Sequence, residues 1–284
     1  MNKSVAVVTD STAYLPKDIR DELSIEMVPL NVVFAEESYQ EEIDLTTEQF
    51  YEEMKTAAQL PTTSQPAIGD FVTLFERLAN EGYKQVITIH LSSKISGTFQ
   101  SAVSAGEMVE GIEVLGFDTE VSCAPQGYYV LEAAKMANAG EDGHAIIEKL
   151  IALKETSKAY FMVDDLNHLH RGGRLSGAQL LVGNLLKIKP ILHFEEGSIV
   201  PFEKVRTEKK ALSRIVHLLE EDVKNGGKYI ATVIHADNLE GAKQLQATIN
   251  ERFDQVSVDI SYFGPVIGTH LGAGSLGLSW QKQN

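Results

Sequence analysis

The sequence predicts an α/β protein of two domains, a parallel-sheet N-terminal domain over 1–163 and a mixed-sheet α/β C-terminal domain over 164–284. Three observations predict this. The chain has 284 residues, and at about 150 residues per domain that length divides into roughly two. Through the first half, short β-rich runs alternate with stretches of helical periodicity, the pattern of right-handed crossovers onto a parallel sheet. From Asp164 the texture changes: Arg171-Gly-Gly-Arg174 opens a glycine-rich stretch, and a hairpin pattern after it introduces antiparallel pairing. No Pro/Ser-rich linker, internal repeat or low-complexity tract marks the boundary, which falls near 160 to 170.

Ser4 to Val8 is a short buried strand, followed by the polar turn Thr9-Asp10-Ser11-Thr12 and by Pro16, which opens a short helix. Met27 to Phe34 is a second β-rich run. The polar stretch from Ala35 to Thr46 leads into a helix whose Thr46-x-x-Gln49 spacing fits a capping box. Pro61-Thr-Thr-Ser-Gln-Pro66 is held extended, because the residue before each proline is pushed out of the α region. Phe71, Leu74, Phe75 and Leu78 lie at i, i+3, i+4 and i+7, one buried helix face, and Gln85 to Leu91 is a strand. The loop from Ser92 to Gly97 precedes a helix that runs to about Met108. Val114 to Phe117 is a strand, helices follow over about 122–138 and 143–156, and Ala159 to Val163 is another strand. In the second half, Lys187 to Phe194 and Ser198 to Lys204 form a hairpin across Glu195-Glu196-Gly197. A helix from Thr207 to Asn225, a strand at Tyr229 to His235, a helix from Leu239 to Phe253 and a strand at Val256 to Tyr262 follow. Pro265 to Gly268 is a final short strand.

Charge and composition exclude several functions. Forty Asp and Glu against 25 Lys and Arg give a formal net charge of -15, whereas sequence-independent nucleic-acid binding needs a basic surface. Anionic membranes are poor partners for the same reason. The 43% hydrophobic content contains no run of 18 apolar residues, so no spanning helix is expected. The apolar stretch Val5 to Val8 is too short for the core of a signal peptide, and the single Cys123 agrees with a reducing cytoplasm.

Gly272-Ala-Gly274-Ser-Leu-Gly277 is literally G-x-G-x-x-G, yet only the seven residues 278–284 follow it, too few for the helix, strand and ribose-binding acid of a dinucleotide fold. The glycines let the backbone turn sharply. A phosphate-binding P-loop, H-E-x-x-H, paired cysteine ligands and G-x-S-x-G are all absent, so no cofactor and no metal is expected. Hydroxyls recur where the carboxyl edge of the sheet should lie: Thr9, Ser11 and Thr12 after the first strand, then Ser92, Ser93 and Ser96 after a later one. Ser96-Gly97-Thr98 starts a helix, so Ser96 serves either as an N-cap or, with nearby backbone N–H groups, as an anion donor. Thr62-Thr63-Ser64 reads equally as a rigid surface turn. His270 is either a hydrogen-bonded structural histidine or a donor to an anion, and Arg171 and Arg174 either solvate a loop or present forked donors to phosphate or an acidic partner.

Taken together, Thr9-Asp-Ser-Thr12, Pro61-Thr-Thr-Ser-Gln-Pro66, Leu91-Ser-Ser-Lys-Ile-Ser-Gly-Thr98, Arg171-Gly-Gly-Arg-Leu-Ser176, Lys204-Val-Arg-Thr207 and Gly264-Pro-Val-Ile-Gly-Thr-His-Leu-Gly272 resemble the DegV family, as one unit over roughly 3–281. The resemblance implies a bacterial two-domain α/β protein that holds a long-chain fatty acid between its domains. Some members of that family are the lipid-binding subunit of fatty acid kinase, not catalytic alone. They present the bound carboxylate to a separate ATP-binding kinase subunit, which phosphorylates it to acyl phosphate for phospholipid synthesis from exogenous fatty acid. Carried over by position, the carboxylate site falls on Thr63, Ser96 and His270, with Thr62, Ser93 and Gly97 in support. Arg171, Arg174 and Arg206 would face the kinase subunit or the acyl phosphate. Ala273 and Ser275 depart from the commoner Pro and Ala of the family's last motif, at the mouth of the pocket. The competing readings are a serine-dependent acyl hydrolase, with Ser96 or Ser275 as nucleophile and His270 as base, and a binder of another small anion.

Overall fold

A computed structural model describes residues 4–176 and 189–283. The chain runs through β1 (Val5–Asp10), a 3-10 turn (Ser11–Ala13), α1 (Lys17–Leu23), β2 (Ile25–Val28), β3 (Asn31–Phe34), β4 (Glu37–Gln40), α2 (Thr47–Thr56) and β5 (Thr62–Ser64). Next come α3 (Ile68–Asn80), β6 (Gln85–His90), α4 (Thr98–Gly106), β7 (Glu113–Asp118), α5 (Ala124–Ala139), α6 (Gly143–Lys154), β8 (Lys158–Met162) and α7 (Asn167–Gly172). The remainder is β9 (Lys189–Glu195), β10 (Ser198–Val205), α8 (Glu208–Val223), β11 (Tyr229–His235), α9 (Leu239–Arg252), β12 (Val256–Tyr262), α10 (Pro265–Leu271) and β13 (Leu276–Lys282). These elements group into two units. The first contains the chain up to Leu45 together with Thr63–Glu155, and the second contains Thr46–Thr62 and the chain from Thr156 onward.

In the first unit a parallel sheet has the order β2-β1-β6-β7. All six residues of β1 are buried, because helices cover both faces and a parallel strand then reads as a continuous apolar run. Val5 and Val7 point to the α5/α6 side with Tyr129, Ile146 and Leu150, while Ala6 and Val8 meet Phe71, Phe75 and Ala102 of α3 and α4. The capping box at the start of α2 is present, with Thr46 and Gln49 bonding reciprocally. The single run predicted from Met27 to Phe34 is two strands. Pro29 lacks an N–H and a free φ, so the chain leaves the parallel sheet after β2, and β3 joins a separate sheet of order β4-β3-β5.

The second unit holds a six-stranded mixed sheet of order β10-β9-β8-β13-β11-β12, in which β11 and β12 are parallel and the other neighbours antiparallel. The predicted hairpin is β9 and β10; its first two residues, 187 and 188, lie outside the described residues, as does the glycine-rich stretch beyond Ser176. Leu276, Leu278 and Trp280 of β13 pack with Ile215 and Leu219 of α8 and Leu245 and Ile249 of α9.

Three expectations are corrected. β8 pairs with β13 and β9, so the second unit begins near Thr156 and not at 164. The two units are also not consecutive blocks of sequence: Thr46–Thr62 belongs to the second, where Phe50 and Tyr51 of α2 are buried and Tyr51 Oη donates to the Phe263 carbonyl at 2.7 Å. Pro265 to Gly268 is the start of α10, not a strand; a four-residue apolar run fits either state, and Pro265 sits in the first turn, where its missing N–H costs nothing.

Candidate functional site

The order β2-β1-β6-β7 reverses direction between β1 and β6, and open α/β sheets bind ligands outside the carboxyl ends of strands at such a point. Those ends are Asp10 and His90, both fully buried. Asp10 accepts from Thr12 N at 2.9 Å, from Leu91 N at 3.1 Å and from His90 Nδ1 at 2.9 Å, and Thr12 Oγ1 lies 2.5 Å from it. Thr88 Oγ1 stands 2.5 Å from His90 Nε2. Burial alone would raise the Asp10 carboxyl, but the hydrogen bond and charge of His90, with hydrogen bonds from Thr12 and Gln126, hold it below its ordinary range. An ionised Asp10 only accepts, which places a proton on His90 Nδ1.

Thr9, Ser11 and Thr12 stand at this carboxyl edge as the sequence implied, but their hydroxyls are turned inward. Thr9 Oγ1 donates to the Ile89 carbonyl at 2.8 Å, Ser11 Oγ to buried Glu41 at 2.5 Å, and Thr12 Oγ1 also lies 2.9 Å from Gln126 Oε1. Glu41 further accepts from Tyr14 Oη at 2.9 Å. These groups hold the start of the two loops in place. Asp10, His90, Glu41 and Gln126 are the part of the region to which the sequence reading gave no role, although an Asp at a strand end within Thr9-Asp-Ser-Thr12 was the available signal.

The loop after β6 is different. The Ser92 carbonyl accepts from Ile95 N and Ser96 N, each at 3.1 Å, and this single turn raises Ser96 to the start of α4. Gly97, not Ser96, is the N-cap, and it makes no side-chain cap bond. Ser96 Oγ lies 2.9 Å from Thr98 Oγ1 and accepts from Thr98 N at 3.3 Å, so it satisfies a first-turn donor while staying half-buried. No acidic residue occupies the first turn of α4, whose N-terminus therefore keeps its partial positive charge. Ser93 is exposed, and its N–H donates to Asp118. Thr63 is half-buried within β5, between exposed Thr62 and Ser64. Gln65 ties this segment to the Ser96 turn: its Nε2 donates to Ser101 Oγ at 2.6 Å, and its amide rests where a Gly97 side chain would stand, 2.1 Å from the position of a Cβ. The structure thus brings the segments of Thr63 and Ser96 together through a residue to which no role was assigned from sequence.

In the second unit, α7 and α10 bring His168, His270 and Arg174 together. Burial, with the neighbouring charges of Arg174 and His168, pushes the His270 imidazole down to about 4, so it is neutral at pH 7. Arg174 Nη1 donates to the Gly172 carbonyl at 2.6 Å. Arg171 and Arg206 are exposed, at the end of α7 and after β10. Ser275 is buried, and its Oγ lies 3.0 and 3.1 Å from the carbonyls of Leu271 and Gly272, to which its proton is shared; this commitment to the end of α10 contradicts its reading as a nucleophile. Gly272 and Gly274, at φ +75 and +83, turn the chain from α10 into β13, the reverse of the strand-to-helix order a dinucleotide fingerprint needs.

Among the described residues no group of three or more His, Cys, Asp or Glu is placed to hold a metal ion, and no helix is long and apolar enough to cross a membrane.

Comparison with known proteins gives a consistent result. The DegV family model, described as "Uncharacterised protein, DegV family", matches residues 4–283. The chain is 60% identical over 276 residues to a DegV domain-containing protein of Halalkalibacterium halodurans, covering 97% of this chain and 98% of that one. It is 54% identical over 278 residues to Protein DegV of Bacillus subtilis, covering 98% and 99%. The crystal structure of the Bacillus subtilis protein, described as a fatty acid binding protein, matches with a TM-score of 0.93 over 99% of both chains. A DegV family protein from Thermus thermophilus, whose structure is described by its fatty acid binding, matches with a TM-score of 0.92 at 31% identity, over 99% of this chain and 100% of that one. With a family model matched over nearly its whole length and relatives this similar, the chain belongs to the DegV family.

Proposed function

We propose that this protein binds a long-chain fatty acid and, in the bacterial cytoplasm, presents the carboxylate to a separate ATP-binding kinase subunit for phosphorylation to acyl phosphate. The observation that carries the binding reading is its likeness, along the whole chain, to relatives described as fatty acid binding. Thr63 and Ser96 supply hydroxyl donors and His270 an imidazole, with Thr62, Ser93 and Gly97 shaping the hydroxyl loops. Arg171, Arg174 and Arg206 face the kinase subunit or the acyl phosphate. Burying each methylene contributes about 0.8 kcal/mol, so roughly fifteen contribute on the order of 12 kcal/mol before entropy costs. Hydrogen bonds to a charged group contribute about 1.5 to 3 kcal/mol each. The tail therefore dominates affinity and the polar groups set orientation. Uncharged donors suit this chemistry, since a tight Arg pair would stabilise the anion and blunt its attack on ATP.

The test is native mass spectrometry of protein purified without added lipid, with organic extraction, on the wild type and on Thr63→Ala/Ser96→Ala. A stoichiometric fatty acid in the wild type, depleted in the folded double variant, is expected. An empty wild type under gentle conditions overturns the ligand class, and equal occupancy of both proteins overturns the assignment of the hydroxyls.

A further inference from the structure

The chain spends two consecutive glycines at the end of α7, and only one is explained by the backbone. Gly173 is the left-handed C-cap, at φ +69. Gly172 has no positive φ and is the last helical residue of α7, so the backbone conformation there does not call for a glycine. The reason for a glycine there is what lies beside it. A Cβ at 172 would stand 2.4 Å from His270 Nδ1, 3.2 Å from Cε1 and 3.5 Å from Cγ. These atoms belong to a rigid ring with two side-chain torsions, not to a flexible tip that can curl away. The same arrangement recurs in the opposite sense. A Cβ at Gly272, which caps α10, would stand 2.8 Å from His168 Cδ2 and 3.0 Å from His168 Nε2, and His168 is one helical turn before Gly172 on α7. Each segment thus lays a histidine ring into a glycine slot of the other, and the Arg174 guanidinium anchors the Gly172 carbonyl.

We infer that Gly172 is a positioning residue for His270, its missing side chain being the slot that fixes the imidazole in the orientation that meets a bound carboxylate. This rests on the reading of His270 as a carboxylate donor. Ordinary helix propensity favours alanine over glycine at this position; the slot reverses that preference for ligand binding.

The test is a double-mutant cycle of Gly172→Ala and His270→Ala, with oleate affinity measured by titration calorimetry on delipidated protein. His270→Ala alone is expected to weaken oleate binding about tenfold, Gly172→Ala to weaken it by a similar factor, and Gly172→Ala added to His270→Ala to change it less than twofold. If His270→Ala binds oleate as the wild type does, the donor reading fails and the inference falls with it. If His270→Ala weakens binding but Gly172→Ala does not, or does so equally in both backgrounds, the inference alone fails. Independently of how the variants fold, nuclear Overhauser contacts between the Gly172 Hα protons and the His270 ring are expected in the wild type, and their absence overturns the geometry.

Discussion

Replacing Asp10 with Ala should cost the first unit about 3 to 5 kcal/mol. The carboxylate is fully buried and accepts from two backbone N–H groups, Thr12 N and Leu91 N, and from His90 Nδ1. The Thr12 hydroxyl can turn to Gln126 Oε1, 2.9 Å away, but the other three donors have fixed directions. Each stranded buried donor costs about 1 to 3 kcal/mol, and removing one partner of a buried charged pair costs about 3 to 5 kcal/mol. Water entering the small void recovers part of the larger sum, which gives the lower range. Set against a total of about 5 to 15 kcal/mol for a domain, this is a large fraction. Trp280 reports the second unit, so the assay is urea unfolding by far-ultraviolet circular dichroism, with hydrogen exchange read on peptides covering β1 and β6. The carboxyl titrates below its ordinary 3.8, so its contribution is fully present above about pH 4 and lost as pH falls through the lower folded value. The difference between Asp10→Ala and wild type should hold from pH 7 to 5 and narrow below 4. A loss under about 1 kcal/mol at pH 7, or a difference that grows on acidification, would refute the view that this carboxylate holds the two loop starts.

Two further outcomes follow from buried titratable groups. Burial pushes the Cys123 thiol far above its ordinary range, so native protein at pH 8 should resist a thiol-specific chromogenic reagent that modifies one equivalent in urea; rapid native labelling would contradict the burial. His270 titrates near 4 when folded and near 6.5 when unfolded, so the unfolded chain takes up the proton first and stability is lost as pH falls from about 6.5 to 4, by on the order of 3 kcal/mol. His270→Gln should flatten that limb of the stability profile in delipidated protein, and an unchanged acid limb would show that the imidazole is not held neutral by its surroundings.

What could be read from sequence divides along a physical line. Strands and helices set by their own periodicity were legible: β6, β11, β12, the helix carrying Phe71 and Phe75, and the hairpin around Glu195-Glu196-Gly197. Placement that depends on distant partners was not. β8 has the same local texture as a strand of the first sheet, and only its hydrogen bonds to β13 and β9 assign it to the second. β13 itself alternates Leu276, Leu278 and Trp280 towards the core, a period-2 signal that the glycine motif overlapping it drew attention away from. The hydroxyl motifs at Thr9–Thr12 and Ser92–Ser96 marked loops that follow the carboxyl ends of β1 and β6, since carboxyl edges follow from strand order. Whether a hydroxyl faces inward is set by buried acceptors far along the chain, Glu41 for Ser11 and Gln126 for Thr12, and no local pattern encodes that.

The charges near the proposed carboxylate donors are arranged to act at one remove. In the first unit the buried acids are committed to holding loops: Asp10 to backbone N–H groups and His90, Glu41 to Ser11 and Tyr14. In the second unit Arg174 spends a donor on the Gly172 carbonyl and makes itself felt at His270 through its field, favouring the uncharged imidazole. On the proposed reading this division is functional. A guanidinium in direct contact would hold the carboxylate tightly and lower its nucleophilicity, whereas one that acts through its field would draw an anion to the site and leave the bonding to neutral donors. At Gly172 the missing side chain faces the His270 ring, while the backbone carbonyl of the same residue accepts from the Arg174 guanidinium at 2.6 Å.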